Sequence, residues 1–330
     1  MNRPSLATRL ALAALLALVC ADARAVRRTE DPIALVPADA ATVGVVHWNA
    51  LKQTPLGERV FANLDHLSGD DDAARFFRET GLTPREDIDT ITVAMIRSDA
   101  GKRESGTGLV LFEGRFDLTR IAAALTSRGA KLDPSASAPL YRLPEHGGDG
   151  GAVALVNRNL LVCGGEDAVR AALARRDNGG EGGLGSGQGL GKQLSRIDRD
   201  ASAWALVDLS RLPRHDVESS QGEGEPSRAV IGAMKSVSLI AVQTTVRDDS
   251  LDFQATGVAS SPEDRDNLED ALRGVLAMWR MAVQDKSPEL VPVIRKFKVE
   301  SDGDGVSIRG NLPGTFLRSL ESHRAQKSVM

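Results

Sequence analysis

The sequence predicts an α+β fold of two tandem split-βαβ, ferredoxin-like repeats, each an antiparallel sheet with helices packed on one face. Three observations lead there. The stretch Thr107–Arg128 reads as a strand running straight into a helix. A degenerate copy of it recurs at Leu251–Val275, and a glycine-rich break, Asp177–Gly191, falls between the two. In the first copy Leu109 and Leu111 alternate with Val110 and Phe112, the period of a strand. Asp117 follows as a helix N-cap, because its carboxylate can accept from the unpaired N–H groups of the first turn. Phe116 and Ile121 have the spacing of a hydrophobic staple. The second copy enters its helix through Ser261, Pro262, Glu263 and Asp264, a capping box with proline at the first helical position.

Residues 1–25 read as a signal peptide. Arg3 and Arg9 supply positive charge, Leu10–Val19 is an apolar core, and Ala23-Arg24-Ala25 is a small-x-small cleavage site. Acylation at Cys20 fits less well, because Val19 stands where lipoprotein processing needs a small residue. Residues 26–176 then form the first repeat, 177–191 a flexible linker and 192–330 the second repeat. The first repeat opens with the strand Ala41–Trp48, followed by helical spacing over Leu51–Leu67 and a helix opened by Asp70–Asp72. The strand Ile88–Ile96, short strands at Leu140–Leu143, Ala152–Val156 and Leu160–Cys163, and a helix over Glu166–Arg175 complete it. In the second repeat VDLSRL (Val207–Leu212) matches VHWNAL (Val46–Leu51), and Met234–Ala241 matches Ile88–Met95. Phe297–Ile308 parallels Tyr141–Val156, and Pro313–Leu320 gives a final helix. Pro213–Ser227 is polar enough to be a loop. Leu268, Leu272, Val275 and Trp279 form one stripe on the helix Ser261–Lys286, which predicts that Trp279 lies in the core against a sheet.

Charge and cysteine content exclude several classes. The chain carries 41 basic against 45 acidic residues, a net charge of −4. Loss of Arg3, Arg9, Arg24 and Asp22 with the leader takes that to −6, with no basic stripe, so nucleic acid is not an expected partner. No later apolar run is long enough for a transmembrane segment; the best, Leu272–Val283, is broken by Arg273 and Arg280. Cys163 is the one cysteine after the leader, so no internal disulfide can form, and its place in an apolar strand predicts a small buried hydrophobe.

The chemistry-bearing patterns are sparse. Gly180-x-Gly182-x-x-Gly185 has dinucleotide-loop spacing without the strand before it and helix after it that such a loop needs. Asp70–Asp72 and Asp302-Gly-Asp304 lack the alternating ligands and distal carboxylate of a calcium loop. The five histidines are scattered, with no zinc spacing. His47 and Asp208, at matching strand ends, could meet in one cleft as a base and its orienter if the repeats pack about a pseudo-twofold axis. No catalytic, cofactor-binding or metal-binding residue is otherwise predicted, and no cofactor.

Pro37-Ala38-Asp39-Ala40 before the first strand, Gly81–Ile88, and Gly114-Arg115-Phe116-Asp117 at the strand–helix junction carry a resemblance. The chain resembles a group of uncharacterised exported bacterial proteins in these structural motifs, over much of the first half and less of the second. The resemblance implies no activity. The sequence thus favours a non-catalytic exported envelope protein, periplasmic or extracellular, that binds another envelope protein or acts as a scaffold. A carrier holding a small apolar or amphipathic ligand between the two halves is the alternative, and a hydrolase built on His47 and Asp208 the third.

Overall fold

The computed structural model describes residues 31–55, 57–58, 71–97, 107–144, 150–212, 237–286 and 291–315. The leader, the loop Pro213–Ser227, and most of the helices expected over Leu51–Leu67 and Pro313–Leu320 lie outside them.

Among the described residues twelve strands form: β1 (Thr42–Val46), β2 (Ile88–Ile96), β3 (Thr107–Gly114), β4 (Lys131–Asp133), β5 (Leu140–Arg142), β6 (Gly151–Asn157), β7 (Leu160–Gly165), β8 (Ala203–Asp208), β9 (Val237–Arg247), β10 (Ser250–Ala259), β11 (Lys298–Asp302) and β12 (Gly305–Pro313). The helices are α1 (Trp48–Leu51), α2 (Asp71–Thr80), α3 (Pro84–Asp87), α4 (Leu118–Ser127), α5 (Glu166–Asp177), α6 (Pro262–Lys286) and α7 (Val291–Ile294). All twelve strands belong to one sheet, in the order β11-β12-β10-β9-β8-β1-β2-β3-β7-β6-β5-β4, and every neighbouring pair is antiparallel.

This corrects the expectation of two ferredoxin-like repeats. A split-βαβ unit keeps its first strand inside its own sheet and sets it beside a parallel neighbour. Here β1 pairs with β2 on one edge and with β8 on the other, Thr42 opposite Val207 through Val46 opposite Ala203. The segments matched by pattern, β2 and the start of β9, do stand next to the two seam strands, but within one sheet. Joining the sheets removes two unpaired edges that would otherwise invite association.

Helices also cover both faces, not one. Leu109, Leu111, Trp204 and Leu206 face α5 and the short turns at Pro32–Leu35 and Leu184–Ser186. Val110, Ile91 and Leu251 face the other way, onto Ile121 and Leu125 of α4. On that second face α6 lies over the far end of the sheet, through Leu268 against Val237 and Val306. The helix starts are those the residues dictate. Asp117 accepts from Thr119 and Arg120 N–H at 3.1 Å each, and Phe116 and Ile121 are both buried in one cluster. Ser261 Oγ accepts from Asp264 N–H at 3.1 Å.

The glycine-rich segment is packed structure, not a linker. It wraps the buried strap 32–40: Ala38 N–H donates to Gly182 O, Leu184 N–H to Val36 O and Leu190 N–H to Ala38 O, at 2.7 to 3.0 Å. The glycines allow the close approach. A Cβ on Gly183 would sit 2.0 Å from Ala34 O, and one on Gly189, at φ +49°, 2.2 Å from Ala38 O. The dinucleotide-like spacing of Gly180, Gly182 and Gly185 therefore serves chain packing.

The stripe on α6 is rotated from the one the sequence suggests. Leu268 and Leu276 are buried, with Leu272 packed beside them, whereas Val275 is half-buried and Trp279 is 46% exposed. The expectation of Trp279 as a core residue is thus wrong. At 25 residues the helix runs about 37 Å. Leu268 meets one hydrophobic cluster and Leu276 a second, with Ile294 and Phe297, so the contact line is set by residues from β11, β12 and α7 that no local spacing reveals.

Two stability measurements check this account. Gly183→Ala should destabilise by about 1–3 kcal/mol or more through backbone overlap, while Gly150→Ala, whose Cβ meets nothing within 4 Å, should leave the denaturant midpoint unchanged. Leu276→Ala should cost about 2–5 kcal/mol. Trp279→Ala should cost clearly less, and the reverse ranking in chemical denaturation would show that the tryptophan is a core residue after all.

Candidate functional site

The catalytic pair considered from sequence is not brought together. His47 N–H donates to Ser202 O and Asp208 N–H to Ala41 O, so the two residues mark opposite ends of the β1–β8 pair. Six residue steps along a strand separate them by about 20 Å. Asp208 instead caps the turn Leu209–Arg211, accepting from Ser210 N–H at 3.0 Å and bridging Arg211. The hydrolase reading fails on that distance. The carrier reading loses its site between the halves, because backbone hydrogen bonds between β1 and β8 close the seam.

His47 lines a shallow cleft under the strap with Asp31, Glu113, Arg199 and Trp204, about 250 Å³ counting the solvent at its mouth. Its Nε2 lies 2.8 Å from Arg199 O, and Arg199 pairs with Asp31. The Arg199–Asp31 pair ties the start of the strap to the segment before β8. Asp304, weighed as a calcium ligand, is bridged by Arg196 at 2.7 Å, and that hydrogen bond holds its carboxyl below the usual range. Asp302 belongs to the β11–β12 hairpin, whose turn places Gly303 at φ +59°. Asp70 lies outside the described residues. No group of three or more potential ligands that could hold a metal ion occurs among the described residues.

A different site emerges at the far end of α6. Phe253 and Phe297 meet at 5.1 Å, tilted by 54°, over Gly310, where a Cβ would come within 2.8 Å of the Phe253 ring. Phe297 is buried, and Trp279 stands edge-on to it at 5.9 Å and 88°. The indole is therefore the outermost ring of a rigid aromatic rank. Arg280 donates to Phe297 O at 3.3 Å, yet its Nε is buried with no partner. Arg295, Lys296 and Lys298 flank Phe297 in the chain and are exposed, with no ion pair among the described residues. Elsewhere arginines are mostly paired: Arg170 with Asp133 and Glu166, Arg199 with Asp31, Arg309 with Glu300. The hydrogen bonds from Ser135 and Arg170 hold the Asp133 carboxyl far below its ordinary range.

The other side of the same helix is also apolar. Gly274, Ala277 and Met281 are exposed, Met281 by 62%, on the face turned away from the sheet. Composition could have flagged this end of α6, since GVLAMWRMAV holds too many apolar residues for one buried stripe. No helix among the described residues is long and apolar enough to cross a membrane, which says nothing of strands.

Cys163 sits in β7 opposite Val110 and Val153. Part of the residue reaches the surface, but desolvation of its sulfur pushes the thiol up to about 12. A raised pKa keeps the group neutral at pH 8, so the nucleophilic thiolate is scarce. In the native protein Cys163 should react with an aromatic disulfide reagent at pH 8 about a hundredfold more slowly than in denaturant. Equal rates would show an accessible, ordinary thiol.

No protein family matches the chain by its sequence profile, and no curated protein matches it. Among solved structures, crystal form III of TP0453 is similar in fold, with 10% identical residues and a TM-score of 0.51, covering 90% of this chain and 100% of that one. Crystal form I of TP0453 aligns over 90% of this chain and 99% of that one at 10% identity and a TM-score of 0.47. At this identity the likeness is one of fold alone.

Proposed function

We propose that the chain is a non-catalytic, exported envelope protein that works as a protein-interaction module, docking through the C-terminal half of α6. The observation that carries this reading is the exposed Trp279 on its fixed backing of Phe297 and Phe253. A large amphipathic side chain with few rotamers, held by packing on one side and free on the other, is the kind of residue that dominates binding energy at protein interfaces. It loses little conformational entropy on association, so its apolar surface is available to a partner. Export rests on the residues of the leader, Arg3 and Arg9, Leu10–Val19 and the Ala23-Arg24-Ala25 site.

The reading is tested by photo-cross-linking in the living native host. A benzophenone amino acid at position 279 should give discrete adducts in the envelope fraction. The same group at Leu132, which is 53% exposed in β4 at the other end of the sheet, should give none. Adducts absent from position 279, or identical from both positions, would overturn it.

A further inference from the structure

We infer that the partner surface seated on Trp279 is acidic: a peptide segment whose carboxylates surround one apolar side chain. The inference rests on the proposed docking site and adds the chemistry of what fills it.

Three cations stand next to the Trp279–Phe297 pair in the chain. Arg280 is tied to Phe297 O, and Arg295 and Lys296 immediately precede Phe297, whereas Lys298, opposite Arg309, belongs to the other face of the sheet. None of the three makes an ion pair among the described residues, although the chain as a whole has more acidic than basic residues. Like charges so placed repel one another, which an incoming carboxylate would relieve. Arg280 adds a directional element. Its guanidinium is held by the bond to Phe297 O next to Trp279, so a partner's carboxylate meets a cation already fixed in place.

The distribution of charge along α6 selects a peptide over an anionic bilayer. The N-terminal half of the same helix carries Glu263, Asp264, Asp266, Glu269 and Asp270. A helix laid flat on anionic lipid would press that half against like charge, and the net negative chain would be repelled at longer range. A short segment reaching only the Trp279 end avoids those five carboxylates and meets Arg280, Arg295 and Lys296.

The test uses the full mature chain and two fluorescent peptides of equal length, one built of Leu and Glu, the other of Leu and Lys. Fluorescence anisotropy should show the Leu/Glu peptide binding at least about tenfold more tightly than the Leu/Lys peptide, a preference that falls with added salt. Trp279→Ala should weaken the acidic peptide about tenfold. Arg295→Glu with Lys296→Glu should erase the preference while the thermal midpoint stays within a degree or so of the parent. Equal affinity for both peptides, an unchanged preference in the double charge reversal, or tighter binding to phosphatidylglycerol vesicles than to the acidic peptide would each overturn the inference. Binding of both peptides that is lost in Trp279→Ala would overturn the acidic partner and leave the docking site standing. Absence of binding to either peptide would overturn the acidic partner, and the cross-links at position 279 then decide the docking site separately.

Discussion

The hydrogen-bonded ladder between β1 and β8 is the contact on which the rest of the molecule depends. Each of these strands has its other edge occupied, β1 by β2 and β8 by β9, so removing this one pairing would split the sheet into two pieces with raw central edges. The side chains along it are mostly apolar, with Val43, Val45, Trp204 and Leu206 buried on one side and Val46 and Ala203 on the other. Both faces of a central strand pair must therefore be covered. That requirement explains why the strap 32–40, the glycine segment and α5 lie on one face while α1 and α4 lie on the other.

The glycine segment follows from the same demand. A strap threaded beneath a covering loop brings two backbones together at distances that no Cβ allows. Gly183 and Gly189 sit where that approach is tightest. Glycine is costly in backbone entropy when held in place. Here the cost is offset by backbone hydrogen bonds to Val36 and Ala38 and by the burial of Ile33, Leu35 and Val36. A run of glycines between two apolar halves has the composition of a linker, and composition cannot tell a chain that moves freely from one that must pass close to another.

Local features were legible in the sequence and long-range ones were not. The cap at Asp117, the staple of Phe116 and Ile121, the Ser261 box and the strands β2, β3, β6 and β7 all follow from residues a few positions apart. Sheet order does not, because the pairing of Thr42 with Val207 joins residues far apart through groups that every residue carries. The same limit governed His47 and Asp208. Their equivalence in pattern was visible, but antiparallel pairing sends equivalent strand ends to opposite rims. The site at Trp279 was hidden by a rotation of the α6 stripe toward Leu276, which depends on Ile294 and Phe297 arriving from elsewhere.

Trp279 shows how that rotation creates a surface. Three leucines at intervals of four, Leu268, Leu272 and Leu276, drift around a helix of 3.6 residues per turn, so the contact line moves steadily to one side. Had the core followed Val275 and Trp279, the indole would lie beneath the helix and Phe297 would be covered by it. With the line passing through Leu276, the indole is left at the margin, touching Phe297 by its edge and turning much of its surface outward. The arginine that follows it is drawn to the Phe297 carbonyl, which leaves a cation beside the exposed ring without a carboxylate to answer it. A helix whose packing needs only half of its apolar residues thus keeps the remainder, and the charge next to it, available for a second surface.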